Sequence, residues 1–143
     1  MTLVKGIGCA AIIGAIGIQF VRPARTNPAT VASRTLFATA AVPAAAADVL
    51  RRACRDCHSN DTRWPWYSGI APVSWFVIDH VDHGRSHFNY SDWARYDRED
   101  TARLIKNSCK FARERTMPLP SYMRMHPEAR LSPQDVEALC MWH

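Results

Sequence analysis

The pentapeptide Cys54-Arg55-Asp56-Cys57-His58 constrains this chain more than any other feature of its 143 residues. Two thiols three residues apart project from the same side of a helix. That spacing suits thioether bonds to the two vinyl groups on one edge of a porphyrin, with the next residue, a histidine, bringing an imidazole to the iron. Competing uses of the spacing fit less well. A thioredoxin-like redox pair follows a strand, whereas the residues before Cys54 read as helix. A structural zinc site needs a second Cys/His pair, and Cys109 and Cys140 are solitary. One covalent haem c is the expected cofactor. It would supply much of the apolar interior of a domain of about one hundred residues.

Ahead of the motif, Leu3 to Val21 is apolar apart from Lys5, Gln19 and small residues. As a helix this run reaches roughly 28 Å, close to the hydrocarbon thickness of a bilayer. The expected organisation is a transmembrane anchor over 1–21, a linker over 22–44 rich in Ala, Thr, Pro and Arg, and a haem domain over 45–143. A cleaved signal peptide is the competing reading, but Val21-Arg22-Pro23-Ala24-Arg25 is no small-residue cleavage site. Arg22 and Arg25 outnumber Lys5, which taken alone would place the domain in the cytoplasm. Haem attachment through this motif takes place outside it. The expected location is therefore a bacterial inner membrane, crossed once, with the haem domain on the periplasmic side. There Cys109 and Cys140 either pair as a disulfide or pack as buried thiols.

No strand pattern appears, and the fold is expected to be all-α. Val49, Leu50, Ala53, Cys54 and Cys57 recur at helical spacing over 45–58. Pro72 opens a second helix with Val73, Phe76, Val77 and Val81 on one face and Gly84 as its stop. Residues 89–96 read as a short turn or helix, and Asp97 caps a third helix running to about Arg115. Residues 117–127, with three prolines, read as irregular. Ser132, Pro133 and Asp135 signal the start of a last helix carrying Val136, Leu139 and Cys140. The net charge of +5 would suit an acidic partner or anionic lipid; no basic block interleaved with aromatics suggests nucleic acid.

Iron held by His58 has a sixth position. Met117 is the first candidate, since the prolines at 118 and 120 stiffen its loop, although methionine is common here and a core role competes. His80 is the alternative, because it shares a face with Val73, Phe76 and Val77. His83 and His87, with Asp79 or Asp82, form a weaker candidate for a second metal. Trp64, Trp66 and Tyr67 are expected to wall the haem, and Arg63 or Arg85 to pair with a propionate.

In order along residues 43 to 143, the chain resembles the small bacterial haem-binding domain family found in membrane-associated proteins. The resemblance is carried by Cys54 to Asn60, Trp64-Pro65-Trp66-Tyr67-Ser68, Ala71-Pro72-Val73-Ser74-Trp75 and Gly84-Arg85. It continues through Met117-Pro118-Leu119, Tyr122, His126-Pro127, Leu131-Ser132 and Trp142. The Met-Pro pair before a Ser-capped last helix is also similar to class I cytochromes c. That likeness implies a cytochrome-c-like helical fold with Met117 as distal ligand. The chain departs from the family pattern at Cys109 and Cys140, and in the basic stretch Lys110 to Arg115 where an acidic one is expected. The expected function is one-electron transfer by a membrane-anchored monohaem cytochrome, an electron carrier rather than an enzyme. Its partners would be redox proteins, including a respiratory or photosynthetic complex. A haem sensor or peroxidase-like enzyme with an open sixth position is the second expectation, with His80 or His83 as distal acid/base.

Overall fold

A computed structural model describes residues 2–142; Met1 and His143, the outer limits of the expected anchor and domain, lie outside them. The described residues contain helices and no strand, as the patterning implied. Eight α-helices follow in order: α1 Thr2–Gly17, α2 Leu36–Thr39, α3 Ala44–Val49, α4 Arg55–His58, α5 Val73–His87, α6 Arg98–Arg113, α7 Pro120–Met125 and α8 Pro133–Met141.

The apolar N-terminal run does not form the single nineteen-residue helix expected of it. α1 has 16 residues, a length of about 24 Å, and a 3-10 turn at Ile18–Phe20 hands over to extended backbone at Val21. Among the described residues no helix is long and apolar enough to cross a membrane.

The expected linker is also corrected. Residues 22–36 lie along the domain, because their polar groups find partners on it. Asn27 donates to the Thr62 carbonyl at 2.9 Å and accepts from Trp64 Nε1 at 3.1 Å. Arg34 pairs with Asp92 at 2.7 Å. Leu36 then enters the core with no exposed surface, beside residues such as Val49, Leu50, Trp93, Leu139 and Trp142. A chain held at these points is a strap and not a tether.

Caps set the later boundaries. Asp97 accepts from the Asp100 amide at the start of α6. At α8, Ser132 and Asp135 form the reciprocal capping box, and Pro133 takes the first position, where no amide is needed. α8 packs against both α3 and α6, and Cys140 is disulfide-bonded to Cys109 of α6. The motif region is helical throughout, but α3 passes through a π turn at Leu50–Cys54 before α4. The proline-rich stretch is less irregular than expected: with Pro120 at its first position, α7 forms over Pro120–Met125.

Candidate haem site

α4, which carries the end of the pentapeptide, packs on α5. Their approach is close enough to require glycine at position 84. A Cβ placed there would lie 2.5 Å from the Cys57 carbonyl oxygen and 3.1 Å from Cys57 Cβ. Gly84 is therefore not the expected helix stop; α5 runs on to His87. The bare backbone at 84 brings its carbonyl to His58, whose Nδ1 donates to Gly84 O at 2.9 Å and lies 3.3 Å from Phe88 O. The His58 ring stacks on Phe88 at 4.1 Å between centroids, with planes 9° apart.

This arrangement fixes the chemistry of the imidazole. With Nδ1 protonated towards carbonyls, Nε2 keeps its lone pair, as a metal ligand requires. Burial lowers the His58 pKa to about 4, outweighing the carbonyls of Phe88 and Gly84, so the ring is neutral at pH 7. Burial also pushes the Cys54 and Cys57 thiols up to about 11, keeping both protonated at that pH. The Tyr90 hydroxyl, buried without a conventional hydrogen-bond partner, lies against the Cys54 thiol.

Beside Cys57 opens a groove of about 330 Å³. One wall is α5, through Val73, Phe76, Val77, His80 and Val81. The other comes from 119–126, through Leu119, Ser121, Tyr122, Met125 and His126, and Asp56, Thr62, Arg63, Pro65 and Tyr67 complete it. Its polar groups are tied together. The buried Asp56 carboxylate accepts from Tyr122 Oη at 2.9 Å and from the Arg63 amide at 3.2 Å. Tyr67 Oη lies 2.8 Å from His126 Nε2, and His126 Nδ1 lies 3.2 Å from Glu128 Oε1. A carboxylate accepts from Nδ1–H, so Tyr67 donates to Nε2.

Several expectations are redistributed. Cys57, Tyr67 and His80 line the groove, whereas Cys54 and His58 do not. Met117 is outside it and 42% exposed; Leu119, two residues on, occupies the wall instead. Trp66 is 74% exposed and touches Tyr67 edge-on, while the Trp64 indole is committed to Asn27. Of the three aromatics, only Tyr67 faces the groove. Arg85 is no free propionate partner, because its guanidinium donates to Ser59 O, Thr26 O, Asn27 Oδ1 and Thr62 Oγ1. Arg63 stays exposed at the groove.

His83 and His87 meet at 3.0 Å on the exposed side of α5. Among the described residues no group of three His, Cys, Asp or Glu side chains could hold a metal ion. The sequence reading missed Phe88 and the packing role of Gly84. A glycine followed by an aromatic residue at the end of a helix gives no local signal of either.

The site fits a haem in three respects. A neutral imidazole keeps Nε2 free, two thiols precede it at the end of the π turn and within α4, and an apolar groove adjoins Cys57. A family model described as a haem-binding domain matches residues 13–143. No curated protein and no solved structure matches the chain.

Proposed function

The chain belongs to the haem-binding domain family, and from that premise we propose that it is a monohaem c-type cytochrome that passes single electrons between redox partners. Cys54 and Cys57 would hold the haem covalently and His58 would be its axial ligand, with the groove walls covering its apolar faces. The bound haem supplies an iron that changes oxidation state by one electron.

One observation carries this reading: Gly84 O accepts a hydrogen bond from His58 Nδ1–H, which leaves Nε2 for a metal. A hydrogen bond on the far nitrogen of this kind fixes the tautomer and strengthens the ligand. The sixth ligand would be a thioether, either of Met125 in the groove wall or of Met117, which lies outside the groove and would have to move into it. His80 is the nitrogen alternative, since its Nδ1 donates to Phe76 O at 2.8 Å and its Nε2 is likewise spared.

The Cys109–Cys140 disulfide supports an oxidising compartment. We place the domain on the periplasmic side of a bacterial inner membrane, with α1 lodged in the lipid. Its partners would be redox proteins or a respiratory or photosynthetic complex.

Absorption and magnetic circular dichroism of the holoprotein test the ligand set. Low-spin iron with a sulfur-to-iron band, lost in Met117→Ala or Met125→Ala, is the expected result. Low-spin iron without that band, lost in His80→Ala, would assign a second histidine.

A second reading, a peroxidase-like enzyme or haem sensor, is favoured by two observations. Met117 stands outside the groove, and the Tyr67–His126–Glu128 chain reaches into it as an acid/base group of the right kind. It replaces His80 and His83 in that role. High-spin iron that binds carbon monoxide readily would select this reading over electron transfer.

A further inference from the structure

From residue 6 to 17 the α1 helix carries no polar or charged side chain. Ile7, Ile12, Ile13 and Ile16 are all exposed, and the element it contacts most is its own 3-10 turn. A helix of this kind is normally buried in a core or in lipid, and among the described residues none of α1 enters the core. Its end is nonetheless fixed to the haem domain. The Gln19 side chain makes a reciprocal pair with the Ala71 backbone, donating to the carbonyl and accepting from the amide, each at 3.0 Å. The Trp75 indole donates to Val21 O at 2.6 Å, and Arg25 lies 3.4 Å from Ser68 Oγ. Around this latch the domain exposes apolar side chains: Trp66, Ile70, Val73 and Phe76, next to Phe20, which is 85% exposed, and Val21. Val73 and Phe76 also line the groove.

We propose that the face formed by Trp66, Ile70, Val73 and Phe76 docks on the surface of a phospholipid bilayer, held there by the latch between Gln19 and Ala71. The haem groove then opens at the membrane surface and does not swing on a tether.

Three observations select lipid as the occupant. The face continues directly from the apolar C-terminal part of α1. Trp66 sits on it, and indole side chains concentrate at membrane interfaces. Arg22 and Arg25, which meet no carboxylate among the described residues, stand at the junction where anionic headgroups would lie. An electron partner reached from such a groove lies within or on the membrane.

The proposal rests on the lipid seat given to α1 above, and the test separates the two. Nitroxide labels are attached through Ile13→Cys, Ile70→Cys or Lys106→Cys in a Cys9→Ser background of the full holoprotein. The protein is reconstituted in vesicles of phosphatidylcholine and phosphatidylglycerol, and accessibility to oxygen is compared with that to a water-soluble nickel chelate. The expected oxygen-to-nickel ratio is several-fold higher at 13 and 70 than at 106 on α6. Gln19→Ala, which removes both hydrogen bonds between Gln19 and Ala71, should lower the ratio at 70 and leave 13 unchanged. A lipid value at 13 with a water value at 70 overturns the docking face while sparing the anchor. A water value at 13 overturns both. Dilution-dependent dipolar broadening between labels at 70 would mean that a second copy covers the face, and would overturn lipid as its occupant.

Discussion

Gly84→Ala sets two large effects against each other. Alanine is favoured over glycine inside a helix by about 1 kcal/mol, and position 84 lies within α5, so propensity alone predicts stabilisation. The added methyl, however, would stand 2.5 Å from the Cys57 carbonyl oxygen, against backbone that has no flexible end to yield. α5 must back away from α4, an overpacking cost of typically ~1–3 kcal/mol. The same movement weakens the bond from His58 Nδ1 to Gly84 O, worth about 1 kcal/mol. The net expectation is a loss of about 2 kcal/mol, or roughly 8–16 °C in Tm for a domain of this size. Urea unfolding of the variant should show a lower midpoint at unchanged slope. Haem content per chain should fall with it, because the imidazole is no longer held. A variant as stable as the parent or more so, with full haem content, would refute the close-approach reasoning and leave only propensity.

Other substitutions probe separate parts of the account. Leu36→Ala should cost about 2–5 kcal/mol as a fully buried leucine, measured by urea unfolding; a change near zero would restore the view of 22–44 as a free linker. Replacing Cys109 and Cys140 together by serine removes a 31-residue closure, worth at most about 4 kcal/mol by loop entropy. The parent should lose a similar amount when unfolded with a reductant present. Burial raises the Asp135 pKa, but Arg52 and the Ser132 groups outweigh it and hold the carboxyl below its usual 3.8. Its contribution is thus present above that pH and is lost as pH falls through the folded value. Asp135→Asn should shrink the acid-side drop in stability and lower stability at pH 7, both read from unfolding midpoints against pH.

The helices were legible where sequence carries its own punctuation. Asp97 and Ser132 with Pro133 mark α6 and α8, and Pro72 with the helical spacing of Val73, Phe76, Val77 and Val81 marks α5. The strap was not legible, because Asn27, Arg34 and Leu36 owe their positions to partners more than thirty residues away or to the core. A stretch of Ala, Thr and Pro has no local pattern to betray such contacts. At the candidate site, the spacing of the motif pointed to Cys54, Cys57 and His58. What holds His58 was hidden: Gly84 reads as a stop in one dimension and as a close approach in three. The aromatic cluster misled in a similar way. Trp64, Trp66 and Tyr67 are neighbours in sequence, but the 3-10 turn at Trp66–Gly69 sends Trp66 outward while Tyr67 faces the groove.

The most direct test is the mass of the unfolded polypeptide, purified from cells that express the machinery for covalent haem attachment. One added haem that survives denaturation and acid extraction is expected, together with its loss when Cys54 and Cys57 are both replaced by alanine. A chain that releases its haem on unfolding, or carries none, would contradict it.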